Sequence, residues 1–202
     1  MTGECDIFYT IVHPAEAVSK EKSSKFLSFA YPVEQEEQIG IHLEVLRKRF
    51  YDATHHCYAW RLGAQGETFR ANDDGEPSGT AGRPILGQLL SKNITNCLIV
   101  VVRYFGGTKL GVPGLIAAYK EAAAEVIDAA QIVERTVNVS LTVTFSFLVM
   151  NDIMRIIKEE QPQLTEQNFD NLCTLRLTIR QSRAEGLISK LKKVEGTRLD
   201  IE

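Results

Sequence analysis

The chain has 202 residues, 44% hydrophobic and 24% charged, with 23 Lys and Arg against 26 Asp and Glu and a formal net charge of −3. That balance excludes a histone-like or polybasic nucleic-acid binder, and the apolar content excludes a disordered chain. At roughly 100–150 residues per domain, the length admits one large domain or two small ones, each able to bury a core without disulfide or metal staples.

The first residues, Met1-Thr-Gly-Glu-Cys-Asp-Ile-Phe-Tyr9, lack the basic start and apolar core of a secretory signal, and the longest strongly apolar run, Cys97–Val102, is far short of a bilayer span. A soluble, cytoplasmic protein with no membrane contact is expected. Cys5, Cys57, Cys97 and Cys173 are scattered without a CxxC pair, which reads as reduced thiols, with Cys97 and Cys173 buried in strands.

In chain order, Ile7–His13 and Lys25–Val33 read as strands, and the polar stretch Ser19–Lys25 between them reads as a turn or exposed strand end. Ile39, Leu43, Leu46 and Phe50 recur at helical spacing, predicting one amphipathic helix over 35–50. His56, Tyr58, Trp60 and Leu62 then alternate with His55, Cys57, Ala59 and Arg61, the pattern of a strand with two unlike faces. Residues 71–83 form a loop by composition, and Pro84 suits the first turn of a short helix carrying Ile85, Leu86, Leu89 and Leu90. Cys97–Val102 is apolar on both faces, as in a central strand covered from both sides or packed in a tight core. A longer helix follows Gly111, with Val112, Leu115, Ile116, Tyr119, Ala123, Val126 and Ile127 on one face and Lys120, Glu121, Glu125 and Asp128 toward solvent.

Beyond residues 130–136 the order becomes β-α-β-β-α-β. Val137–Phe145 is a strand, Val149, Ile153, Ile156 and Ile157 mark a helix, and Leu164–Phe169 and Leu172–Ile179 flank a hairpin turn at Asp170-Asn171. The last helix opens on Ser182-Arg-Ala-Glu185, a capping-box pattern, and buries Leu187, Ile188, Leu191 and Val194 before a final strand at Arg198–Glu202. This order predicts a ferredoxin-like sandwich with both helices on one sheet face. Two domains are expected, 1–130 and 131–202. The acid excess belongs wholly to the first, with 13 basic and 16 acidic side chains against 10 and 10.

Two glycine-rich segments carry the candidate chemistry. Arg103-Tyr-Phe-Gly-Gly-Thr-Lys-Leu-Gly-Val-Pro-Gly114 runs from a buried strand into a helix, where free N–H groups and the helix dipole favour an anion. Tyr104, Gly106, Gly107, Lys109, Gly111 and Gly114 are its candidate residues together with Arg103. It is neither a Walker loop nor a G-x-G-x-x-G fingerprint, and tight turns with close packing explain the glycines equally well. The second segment, Asp73-Asp74-Gly-Glu76-Pro-Ser78-Gly-Thr80-Ala-Gly-Arg83, holds three carboxylates in four residues. They suit a hard cation, or a polar turn paired with Arg61, Arg83 or Arg103; the EF-hand spacing is absent.

His55 and His56 beside Asp52 and Cys57 invite a zinc reading, but neighbouring strand residues point to opposite faces. No Gly-x-Ser-x-Gly elbow occurs. Trp60, Tyr104, Phe105 and Tyr119 offer base-stacking surfaces, yet three of the four lie in predicted core elements, where packing is the stronger claim.

Together, Ser24-Lys-Phe26, Asp52-Ala-Thr-His-His-Cys-Tyr-Ala-Trp-Arg61, residues 73–85 and Val101–Leu115 resemble the successive blocks of the IMPACT family, including its bacterial YigZ-like members. The resemblance spans residues 20–120, and 137–202 look like the smaller C-terminal domain of the bacterial members. It implies an α+β fold: a two-layer α/β first domain like the fourth domain of elongation factor G and a ribosomal small-subunit protein, and a second like that factor's fifth domain. Eukaryotic relatives are translation regulators that interfere with activation of a kinase sensing amino-acid shortage, through an N-terminal protein-binding domain not present in this sequence.

The expected function is therefore non-enzymatic: binding of RNA, the ribosome or a translation-associated protein. The expected site is a groove near Arg61, Arg83, Arg103 and Lys109, joined by Lys20, Lys22 and Lys25, with no cofactor and no metal. The alternatives are a phosphate- or nucleotide-binding enzyme using Asp73, Asp74 or Glu76, and a protein-interaction module. The shared groove requires the two glycine-rich loops to meet in space.

Overall fold

A computed structural model describes residues 6–170 and 172–201. The chain forms two compact units: Phe8–Arg135, and Thr136 onward together with Asp6 and Ile7. No helix among the described residues is long and apolar enough to cross a membrane.

The first unit is built on an antiparallel five-stranded sheet of β2 (Ala15–Glu21), β3 (Ser24–Pro32), β4 (His55–Leu62), β5 (Thr68–Asn72) and β6 (Cys97–Tyr104), in the order β2-β3-β6-β4-β5. A short ribbon of β1 (Ile7–Ile11) with β7 (Ile132–Thr136) accompanies it. The apolar run at 97–102 takes the central place because it alone has no polar face to offer solvent. Cys97, Ile99 and Val101 face one core, with α2 (Gly82–Ser91) and α3 (Gly111–Ala129); Leu98, Val100 and Val102 face another, with α1 (Glu36–Arg49). Helices thus cover both sheet faces.

The predicted amphipathic helices occupy their places, with Ile39 and Leu46 buried in α1 and Leu115, Tyr119, Ala123, Val126 and Ile127 in α3. Val112 and Ile116, read as part of that apolar face, are 52% and 39% exposed. The polar stretch read as a turn or exposed strand end is both: residues 19–21 end β2, Lys22 and Ser23 make the turn, and residues 24–25 begin β3. β5 and β7 were not legible in the sequence, because Thr68–Asn72 and Ile132–Thr136 are short, polar and mostly exposed edge segments.

The second unit follows the β-α-β-β-α-β order: β8 (Asn138–Phe145), α4 (Met150–Glu160), β9 (Gln163–Phe169), β10 (Cys173–Arg180), α5 (Gln181–Lys192) and β11 (Arg198–Ile201). Its antiparallel sheet runs β11-β8-β10-β9, and one face carries Leu141, Val143, Phe145, Leu175 and Leu177 against Ile153, Leu187 and Leu191 of the two helices. The hairpin turn read at Asp170-Asn171 lies partly outside the described residues.

The capping box read at Ser182 and Glu185 does not form: α5 has no side-chain cap of its own. Asp6 takes that role from 176 residues away, accepting the Ser182 N–H at 3.1 Å and the Arg180 guanidinium at 2.7 and 2.6 Å. The Arg180 hydrogen bond, reinforced by Ser182, holds the Asp6 carboxyl well below its ordinary pKa of 3.8, against the opposing effect of burial. A depressed carboxylate pKa contributes stability above its unfolded value and loses it as pH falls toward the folded one. The second unit should therefore lose stability as pH drops below about 4, and Asp6→Asn should flatten that dependence. Hydrogen exchange of α5 amides against pH checks this; an unchanged profile in the variant would refute it.

Candidate functional site

The end of β6 and the loop after β5 meet beside the start of α3. Register places His55 of β4 opposite Arg103, while Arg61 pairs with Cys97 at the far end of the same two strands. Arg103 is 5% exposed, and its Nη1 donates to Glu76 Oε1 at 2.5 Å while Nη2 donates to Ser24 Oγ at 3.3 Å. Tyr119 of α3 adds its hydroxyl to the same Glu76 oxygen at 2.9 Å. Burial pushes the Tyr119 hydroxyl far above its ordinary pKa, and Cys57 and Glu76 add to that, so it stays a neutral donor. Cys57 lies beneath, donating to the Asp73 carbonyl oxygen at 2.9 Å, and burial likewise raises its thiol.

The three carboxylates read as a possible cation site point apart. Asp73 accepts the N–H groups of Gly79, Ala81 and Gly82 at 2.8, 3.0 and 2.8 Å, closing the loop and anchoring the start of α2. Burial raises its pKa, but those three N–H groups and the Arg83 charge outweigh it, so the carboxyl sits below its ordinary value. Asp74 accepts the His56 N–H at 2.7 Å and pairs with Arg47 at 3.4 Å on the α1 side. Glu76 goes to Arg103. Among the described residues no three metal-type ligands gather.

His55 and His56 do face opposite ways. His55 Nδ1 lies 2.8 Å from the Asp74 carbonyl, which only accepts, so that nitrogen carries the proton and Nε2 faces Glu76 Oε1 at 3.8 Å. His56 sits in the other core, where burial lowers its pKa against the smaller opposing pull of Asp74.

The loop from β6 to α3 needs its glycines for two distinct reasons. A Cβ on Gly106 would lie 1.9 Å from the Ser23 carbonyl, so the loop can rest on the β2–β3 turn only without a side chain there. Gly111 holds φ +71° at the start of α3, a conformation costly for residues with a Cβ. The loop leaves Lys109 exposed and Phe105 49% exposed. With Glu76, Pro77, Arg103, Leu110 and Val112 they line a cleft of about 390 Å³. The two glycine-rich loops therefore share one groove.

Several expected site residues lie elsewhere. Arg61 is buried, its guanidinium engaged by the carbonyls of Ile94 and Gln65 at 2.9 and 3.2 Å, because the strand carries it six residues away from Arg103. Tyr104 lies on the opposite sheet face and donates to Asp52 at 2.8 Å. Arg83 is exposed in the first turn of α2, with no ion-pair partner among the described residues. Thr80 is buried and donates to the Pro77 carbonyl, and Ser78 is exposed. Gly107 holds φ +85° in the loop, and Gly114 packs against Leu110. Of the pairings open to the acidic turn, with Arg61, Arg83 or Arg103, the structure makes Glu76 with Arg103; nothing in the spacing singled out that carboxylate or that arginine.

The family model for the Impact N-terminal domain matches residues 22–127, a span that contains both loops and the whole cleft. The chain belongs to the IMPACT family. YvyE, the IMPACT family member of Bacillus subtilis strain 168, is 28% identical over 96% of this chain and 90% of its own. YigZ of Escherichia coli strain K12 is 40% identical over 52% of this chain and 53% of its own. Among solved structures, a hypothetical protein at 26% identity covers 98% of this chain and 97% of its own with a TM-score of 0.71, and it shares the two-domain α+β fold. The two-domain translational regulator Yih1 matches at 27% identity over 60% of this chain and 47% of its own, with a TM-score of 0.37, too low to bear on architecture.

The Glu76–Arg103 pair predicts an asymmetry in stability. Glu76→Ala leaves the Arg103 charge buried without its counter-ion and should cost about 3–5 kcal/mol. Removing both charges, with Glu76→Gln and Arg103→Met, should cost less. Chemical denaturation of the two variants checks this, and a larger loss in the double variant would contradict it.

Proposed function

We propose that this IMPACT-family protein is a non-enzymatic, cytoplasmic RNA-binding protein associated with translation, acting through the end of the first unit's sheet where the glycine-rich loops lie. Family membership supports the association with translation, through the resemblance set out for the sequence. The observation that carries the RNA part is the arrangement of free cations. Lys20 and Lys25 stand directly opposite each other on β2 and β3, Lys22 sits in the turn between them at φ +52°, and Lys109 projects from the adjoining loop.

None of these four lysines has a carboxylate partner within ion-pair distance among the described residues, and all are exposed. Directly opposed like charges on a hairpin destabilise it. A polyanion laid across that end removes the penalty and places several phosphates against the lysines, each releasing counter-ions. Arg103 is not one of those free charges, since Glu76 neutralises it; its part is to hold the two loops together.

The test is binding of labelled single-stranded RNA as a function of salt. Neutralising one phosphate-binding lysine should reduce the log–log salt slope by about 0.7. The triple variant Lys20→Gln, Lys22→Gln, Lys25→Gln should thus lower the slope by about two units, with Lys158→Gln in the second unit as the control. RNA binding absent at every salt concentration, or a triple variant with an unaltered slope, would overturn this reading.

A further inference from the structure

The cleft has features that a phosphate-tracking surface does not require. Arg103, 95% buried, is one of its lining residues, and its Nε–H, itself buried, has no partner among the described residues, although both of its terminal nitrogens are engaged. Buried polar hydrogens are nearly always paired, so an orphan in the wall of an open cleft points to an acceptor that comes from outside. Beside it, the backbone N–H groups of residues 107–112 find no backbone acceptor among the described residues, and α3 begins there with no side-chain cap and no acidic residue in its first turn. Of these residues, the exposed Lys109 with Leu110, Gly111 and Val112 at the positive end of a 19-residue helix line the cleft.

The remaining wall is apolar and partly aromatic: Phe105, Pro77, Val112 and Leu115. Phe105 is 49% exposed, and the Arg103 guanidinium lies over one face of its ring, 5.7 Å from the centroid, so that face is held while half of the residue stays open to solvent. A free inorganic anion has no use for that wall. A planar base attached to a phosphate uses both halves, stacking on the ring while its phosphate meets the N–H groups and Lys109. The volume, about 390 Å³, lies at the small end of ligand clefts and suits one nucleotide unit rather than two. Glu76 also lines the cleft, but its Oε1 is taken by Arg103 and Tyr119 and its charge is balanced by Arg103.

We infer that this cleft is a single-nucleotide pocket of the RNA-binding face, with Phe105 as the stacking platform for one unpaired base and Lys109 with the start of α3 as the seat of its phosphate. The inference rests on the RNA reading above and adds to it the demand for a flipped-out, single-stranded base.

The experiment uses the full chain and labelled single-stranded RNA, with adenosine 5′-monophosphate and inorganic phosphate as competitors. The nucleotide should displace RNA at lower concentration than phosphate does. Phe105→Leu should weaken RNA binding by about 5- to 150-fold, the range for removal of one stacked base, and abolish the advantage of nucleotide over phosphate while leaving the salt slope unchanged. Lys109→Gln should lower the slope by about 0.7. Because Phe105 is half exposed, the variant should keep its melting temperature, which separates a stacking defect from a folding defect. If RNA binds with its salt slope but Phe105→Leu binds as tightly and the nucleotide competes no better than phosphate, the pocket is overturned and the RNA reading stands on the lysine hairpin. If no RNA binds at any salt concentration, both fall together.

Discussion

The site region depends on one buried ion pair. Glu76 and Arg103 are 27 residues apart in sequence, and their side chains retain 4% and 6% of their exposure. Two charges taken that far from water are tolerable only together, with their remaining valences satisfied. Ser24 and Tyr119 supply part of that satisfaction, bringing β3 and α3 to the same point. Four segments, the start of β3, the acidic loop, the end of β6 and the first half of α3, are thereby fixed around a cluster of polar groups at the rim of an apolar core.

That constraint explains the composition of the two loops. The acidic loop reaches Arg103 because Asp73 folds it back on itself through three N–H groups, leaving Glu76 free to point inward. The glycine loop reaches the β2–β3 turn because Gly106 has no side chain to hold it off, and Ser24 Oγ takes the Gly106 N–H at 3.3 Å. Beyond Gly106, the N–H groups of residues 107–112 find no backbone acceptor among the described residues. Asp73 and Glu76 are turned inward onto backbone N–H groups and Arg103, while the lysines at the sheet's end have no carboxylate within ion-pair distance among the described residues.

The helical stripes of α1 and α3, the two-faced strand at 55–62 and the doubly apolar strand at 97–102 were legible because periodicity reflects burial directly. The opposed histidines followed from the same rule. Edge strands β5 and β7 were not legible, since their exposed, polar residues carry no periodic signal. Arg61 and Arg103 looked alike in the sequence, both lying in or next to apolar strand segments. Antiparallel pairing sends them to opposite ends of the sheet, where Arg103 meets the Glu76 carboxylate and Arg61 meets backbone carbonyls.

The sequence by itself determined the family, the α+β character and the two segments in which the candidate chemistry lies, because motif blocks and hydrophobic periods are local properties of the chain. The tertiary structure decided which charges neutralise each other and which stay free. It brought the loops together through Glu76, removed Arg61 and Tyr104 from the groove, replaced a local capping box at α5 by Asp6, and left Phe105 and Lys109 at the mouth of a cleft. Those outcomes depend on strand register and on contacts between residues far apart in the chain, where the cost of burying an unpaired charge selects the partner and no local pattern records it.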